Sequence, residues 1–293
     1  MSGFKDAWIQ KLFWDMLRST GDHPKLRTST VLMKKMSVER KLTLVNAPVV
    51  ETAIQVQFSD VPHWTSVKLG LFQSSVETEY GEFKDVPEMP PILETFPPCP
   101  SKLQFQIAPA AGPGCGQFES EAGDRLIRVQ RNRFSYHWLS RPVSEKTQYT
   151  SFDLNFEKFR GAFAKFGEYC LENGLGELSP VLCEVMYLNH IHLEPSESIE
   201  SALKSVFGLD IGSFEMASLN RTYALDERGR LYAEINVNFD NDRPFLSFQL
   251  TSRLNHLRGD VFETLNEAHD WLIAQFCSLT TASARKERWK QVD

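Results

Sequence analysis

The sequence predicts an α+β fold of two similar halves, with antiparallel sheet strands and long helices covering one sheet face. Three observations predict it. Stretches such as 52–59 alternate apolar and polar residues, which buries one strand face and leaves the other wet. Stretches such as 153–172 repeat apolar residues every three or four positions, giving a single helical stripe. The order strand, helix, antiparallel strands, long helix also occurs twice. The duplication is read from element order, because residue-level self-similarity is weak.

Residues 1–41 are a basic N-terminal extension. Phe4, Trp8, Leu12, Phe13 and Met16 have helical spacing and predict an amphipathic helix, followed by a polar stretch over 19–30. Two readings stand side by side. The helix docks a partner or an anionic surface, or the segment lies upstream of a natural start at Met33 or Met36.

The first α+β half spans 42–176. Pro48-Val49-Val50-Glu51 leads into a strand with Thr52, Ile54, Val56 and Phe58 on one face and Ala53, Gln55, Gln57 and Ser59 on the other. Pro62 opens a helix to about Tyr80, with Trp64, Val67, Leu71 and Val76 toward the core. Six prolines between 87 and 100 then force an extended connection, since proline lacks the ladder donor and blocks helix interiors. Leu103, Phe105 and Ile107 alternate with Gln104 and Gln106 in a second strand, and a Gly/Pro turn covers 109–116. A hairpin over 125–139 turns at Arg131-Asn132-Arg133. A helix over 153–172 carries Phe156, Phe159, Phe163, Phe166 and Cys170 and stops at Asn173-Gly174.

The second half, 177–293, repeats this grammar. A strand over 181–193 precedes a short helix capped by Ser196 and ended by Gly208. Strands follow at 213–224, 230–239 and 244–252, with turns at 226–229 and 240–243. Asp260 and Glu263 form a capping-box pattern before a last helix whose apolar face is Leu265, Ala268, Leu272, Phe276 and Leu279.

Composition narrows the function classes. The chain has 293 residues, 42% hydrophobic and 24% charged, which excludes disordered, collagen-like and disulfide-framework proteins. Its net charge of −6 divides unevenly. Residues 1–41 hold nine basic and four acidic side chains, a balance of +5; the remaining 23 basic and 34 acidic residues leave −11. An acidic body repels phosphate at long range and argues against bulk DNA binding. Cys99, Cys115, Cys170, Cys183 and Cys277 are odd in number and form no C-x-x-C pair, which points to reduced thiols and a cytoplasmic setting. No apolar run approaches the ~18 residues of a membrane span.

Several short motifs carry a resemblance. Pro48-Val49-Val50-Glu51, the stretch Gln130 to Trp138, Tyr187-Leu188-Asn189, and Asn266-Glu267-Ala268-His269 followed by Phe276 and Leu279-Thr280 resemble a sporadically distributed, functionally uncharacterised bacterial protein family. The resemblance covers 42 to about 289. It implies a fold and no catalytic residues.

Candidate sites follow from side-chain chemistry. Opposite the apolar strand positions stand Gln55, Gln57, Gln104, Gln106 and Gln130, and in the second half Asn236, Asn238 and Gln249. Uncharged amides offer donors and acceptors to a polypeptide edge, a base edge or a small polar ligand, whereas a merely solvated face would mix in Lys and Glu. Arg128, Arg131 and Arg133 of the hairpin sit beside Phe134, Tyr136 and Trp138, which suits stacked bases or phosphates. Yet the alternation turns those aromatics toward a core and leaves Arg131 and Arg133 at a solvated turn. His190, His192 and Glu194 share a strand face about 6–7 Å apart and could hold a metal if a third ligand converged. His269 reads as a core or capping histidine rather than a general base. There is no G-x-S-x-G elbow, Walker loop or dinucleotide fingerprint, so no cofactor is expected.

The expected function is a non-enzymatic cytoplasmic binding or regulatory protein that engages a protein partner through the amide face and the basic hairpin. The alternatives are a metal-dependent hydrolase or nuclease using His190 and His192, and a single-stranded nucleic-acid binding module.

Overall fold

The computed structural model describes residues 42–95, 114–140, 149–210, 212, 218–225, 227–240, 243–256 and 259–292. The N-terminal helix and the strand expected at 103–107, with Gln104 and Gln106, lie outside the described residues. Leu42–Asp293 form one compact unit.

The strands are β1 (Thr43–Leu44), β2 (Val49–Phe58), β3 (Glu82–Val86), β4 (Cys115–Glu119), β5 (Arg125–Gln130) and β6 (Arg133–Leu139). They continue as β7 (Pro180–His192), β8 (Ser218–Leu225), β9 (Gly229–Asp240), β10 (Arg243–Asn255) and β11 (Gln291–Val292). The helices are α1 (Ser66–Val76), α2 (Phe152–Glu172), α3 (Ile199–Phe207) and α4 (Val261–Leu279).

Among the described residues, nine strands form one antiparallel sheet in the order β3-β4-β5-β6-β2-β7-β10-β9-β8. The duplication is visible in that order. β4-β5-β6-β2 and β8-β9-β10-β7 run in the same sequence from edge to centre, and meet where β2 pairs antiparallel with β7. The halves at 42–176 and 177–293 therefore share one sheet and one core. β1 pairs with β11, tying the two ends of the compact unit together.

The core lies on one sheet face, beneath the helices, and is rich in aromatic rings. Phe134 of β6 meets Phe159, Phe163 and Phe166 of α2, while Phe248 of β10 meets Phe207 of α3 and Phe276 of α4. Phe262 of α4 meets Phe156, Phe159 and Phe163 of α2 nearly edge-on, so the two long helices lock together. Emptying such a site, as in Phe134→Ala, costs about 3–5 kcal/mol.

Helix ends follow local chemistry. Ser151 caps α2 by accepting from the Leu154 N–H, and Asp260 caps α4 by accepting from Phe262 N–H. α3 is capped by Ser198, two residues beyond the expected Ser196, and ends on Gly208 in the left-handed region at φ 66°.

The expectations for α1 and for the 109–116 turn need correction. α1 is shorter than 62–80 and buries Leu69, Phe72 and Val76, whereas Val67 (71% exposed) and Leu71 face outward. Its true start is the Thr65 cap, while Trp64 and Val76 are buried as expected. The expected turn at 109–116 ends earlier, because Cys115 and Gly116 open β4. β3 and β4 escaped the sequence pattern: one is a charged edge strand, the other begins in a glycine-rich stretch. Of the strand expected at 213–224, residues 213–217 lie outside the described residues, and Ser218–Leu225 are strand.

Candidate functional site

Register places the polar residues of the uncovered sheet face in rows across the strands. One row runs Lys84, Gln117, Arg128, Ser135, Gln55, Glu184, Arg253 and Arg230, from β3 to β9. The next, on β5, β6 and β2, contains Gln130, Arg133 and Gln57. Period-two alternation alone brings these side chains together.

Part of this face is not open to solvent, contrary to the expectation of a wet sheet. Residues 87–95 form a strap, without helix or strand, that crosses it. Two glutamines grip the strap's main chain. Gln57 accepts from the Ile92 N–H at 2.7 Å and donates to the Ile92 carbonyl at 3.0 Å. Gln130 accepts from the Met89 N–H at 3.0 Å and donates to the Met89 carbonyl at 2.9 Å. Each amide reads both polar groups of one peptide residue, as a neighbouring strand would. The prolines at 87, 90 and 91 remove donors around these points, so the gripped N–H groups are ones the strap still possesses.

Arg133 is 5% exposed and donates to the Pro90 carbonyl at 2.6 Å and to Gln57 at 3.2 Å. Its Nε is buried with no hydrogen-bond partner, and burial holds the guanidinium below its ordinary value against the pull of Glu184. The expectation of a solvated turn fails here because the strap lies over it. Arg131 pairs with Glu88 at 2.8 Å and Asp60 at 3.6 Å, and Arg128 donates to Gln117 at 2.8 Å. The hairpin arginines are thus engaged within the chain. Phe134, Tyr136 and Trp138 are buried on the opposite face and offer no platform to a base.

At its far end the strap inserts Glu94, whose side chain is 4% exposed. Its carboxylate accepts from Tyr232 Oη at 2.5 Å, from Arg253 Nη1 at 3.1 Å and from Arg230 Nη1. Arg230 also donates to the Thr95 carbonyl. Arg253 stacks 4.8 Å over the Tyr232 ring and bonds Glu184 at 2.5 Å, and Gln55 donates to the other Glu184 oxygen at 3.3 Å. Burial alone would lower the Arg253 pKa; Glu184 and Glu94 more than offset it and raise it. Burial, reinforced by Glu94, raises that of Tyr232.

A third feature starts in the Gln55 row and extends away from the Gln57 row. Ser135 Oγ is 3.0 Å from His137 Nε2, and His137 Nδ1 is 2.9 Å from Glu51 Oε1. Burial would raise the Glu51 carboxyl, but His137 and Arg128 draw it below its ordinary value. The order hydroxyl, imidazole, carboxylate is that of a nucleophile relay. Ser135 is 0% exposed, so this hydroxyl meets no substrate in this arrangement. Here the relay joins β6 to β2 as a polar link.

The other end of the polar face is differently built. Asn236 accepts from Ser218 at 2.6 Å, Asn238 donates to Ser247 at 2.7 Å, and Gln249 donates to Thr251 at 3.2 Å. Asn236 lies six residues along β9 from Arg230, about 20 Å away at ~3.3 Å per residue. The amides expected to act together therefore fall into two groups. His190 and His192 project here, their rings 6.5 Å apart and both against Phe245. Burial, then His192, lowers the His190 pKa. Glu194 lies past the end of β7 within 3.9 Å of Arg288. Among the described residues no group of three or more His, Cys, Asp or Glu is arranged to hold a metal.

On the core side, His269 stacks on Phe152 with centroids 3.6 Å apart, and burial lowers its pKa to about 4. It is a core histidine, as its helix position predicts. The strap contacts and the Ser135–His137–Glu51 relay were missed by sequence reasoning. The relay had a signal, Ser-x-His on one strand, but its carboxylate is supplied by another strand.

No protein-family model matches the chain, and no curated protein matches it.

Proposed function

We propose that the protein is a non-enzymatic binding or regulatory protein that engages an extended polypeptide segment of a protein partner through the polar sheet face. One observation carries the reading: Gln57 and Gln130 each hold both the N–H and the carbonyl of a single residue in an extended segment. Main-chain bonds of this kind bind a peptide without demanding a particular side chain at the gripped position. A cytoplasmic setting is part of the proposal, supported by the free thiols of Cys115, Cys170, Cys183 and Cys277. Among the described residues no helix is long and apolar enough to cross a membrane.

The test is selection of peptides from a random twelve-residue display library against the full chain. Expected are binders whose affinity, measured in a Glu94→Gln background that releases the strap's main anchor, falls at least tenfold on adding Gln57→Ala or Gln130→Ala. Binders indifferent to both changes, or no binders at all, would overturn the reading.

A further inference from the structure

The strap is anchored in an unusual way for a structural element. None of residues 87–95 is buried as a whole, and Leu93 is 55% exposed. Apolar burial, the main force that holds a chain segment in place, therefore contributes little. What fastens the strap is a set of polar grips: Glu88 on Arg131, Met89 on Gln130, Pro90 on Arg133, Ile92 on Gln57, Glu94 on Arg230, Arg253 and Tyr232. Segments with few buried apolar contacts open at low cost.

The geometry is that of a ligand laid across a platform. Glu88 and Glu94 are six residues apart, about 20 Å in an extended chain at ~3.3 Å per residue. From β6 to β9 there are four strand spacings, about 19 Å at ~4.8 Å each. The two acidic anchors thus match the two basic sites, and the main-chain grips lie between them. The tighter anchor is Glu94. Two guanidinium groups and a phenol converge on its one carboxylate, from adjacent strands that need not have supplied three donors to the same point. Midway, Arg133 remains a buried guanidinium with an unsatisfied Nε.

We propose that Arg230, Arg253 and Tyr232 form a carboxylate-reading subsite that Glu94 occupies in cis, and that the partner is an extended acidic peptide which displaces the strap. This rests on the polypeptide-binding reading above. The incoming segment carries Asp or Glu at the Glu94 position, a second acid six residues earlier, and free N–H groups two and five residues before the main acid. Strap and partner compete for one surface, so occupancy by the partner releases residues 87–95.

The test uses the full chain and a fluorescein-labelled nonapeptide copying residues 87–95, followed by fluorescence anisotropy. In the wild type the cis strap competes, and binding is weak. Glu94→Gln removes the competitor's main anchor, and the peptide then binds at least tenfold tighter than to the wild type. A second variant, Pro90→Gly with Pro91→Gly, loosens the strap without touching the subsite and gives the same gain. Native circular-dichroism spectra and cooperative melts certify both folds. A peptide with Gln in place of the Glu94 equivalent binds the Glu94→Gln protein at least tenfold more weakly than the Glu peptide. Equal affinity of the two peptides would overturn the carboxylate subsite while leaving the polypeptide-binding reading intact. No gain in either folded variant would overturn the competition. No binding of either peptide to any of the three proteins would overturn both.

Discussion

The two ends of the polar sheet face have similar composition and opposite fates. At the end that carries Gln130, Arg133, Gln57, Arg253 and Arg230, a strap of the same chain covers the amides and arginines, and its carboxylate is held by three donors. At the other end Asn236, Asn238 and Gln249 bond to neighbouring Ser and Thr side chains on the sheet itself. Both ends pair most of their polar groups, the Arg133 Nε at the strapped end excepted. Only the strapped end does so with groups that could be exchanged for those of another chain. Amide-rich strand faces are therefore not equivalent, and the presence of a polar occupant separates a binding surface from a merely satisfied one.

The largest expected difference between the ends comes from Arg253→Met. Arg253 is 27% exposed and serves both Glu94 and Glu184, so its loss leaves two poorly exposed carboxylates facing each other. A destabilisation of about 3–5 kcal/mol is expected in denaturant melts.

A smaller effect separates the strap from the core on the other face. His269 has a folded pKa of about 4 against an ordinary 6.5, so the unfolded chain binds its proton first. Its contribution is complete above pH 6.5 and is lost as pH falls toward 4, by about 3 kcal/mol in order of magnitude. His269→Phe is expected to flatten stability across that window, which pH-dependent denaturant melts would register. Acid loss that persists unchanged in the variant would assign it to other groups. Glu51 acts lower on the scale. Its lowered pKa adds stability that is present above about 4.5 and lost as pH falls through the folded value.

Gln130→Ala leaves the Met89 N–H and carbonyl without their partner and is expected to cost about 1–3 kcal/mol, with faster proteolysis within 87–95. At the unstrapped end, Asn236→Ala and Asn238→Ala are expected to stay within about 0.5 kcal/mol of wild type and to leave peptide affinity unchanged. Smallest of all is the response to zinc. With no third ligand beside His190 and His192 among the described residues, an equimolar addition is expected not to move the melting temperature. A rise that His190→Ala abolishes would put a metal there.

Much of this arrangement was legible in the sequence. Alternation along 52–58 placed Gln55 and Gln57 opposite Ile54 and Val56, and the phenylalanine stripe of α2 placed its core face. The proline cluster announced an extended connection after 87. What the sequence withheld was where that connection lies. Gln57 meets Ile92 across 35 positions, and Glu94 meets Arg230 across 136, and neither separation has a period that a local pattern could reveal. Arg133 was misplaced for the same reason: a turn residue is solvated only if nothing crosses above it. α1 erred locally: Trp64 and Val76 are buried as expected, but Leu69 and Phe72, not Val67 and Leu71, complete the buried face.

Whether the strap is a replaceable occupant or a fixed part of the fold is decided most directly by native-state hydrogen exchange at Met89 and Ile92. Their N–H groups bond glutamine side chains, whereas those of Ile54 and Val56 belong to the central strand β2. Met89 and Ile92 are expected to exchange through a local opening at a free energy well below that of Ile54 and Val56, independent of global unfolding. Exchange of all four amides at the same free energy would contradict a displaceable strap.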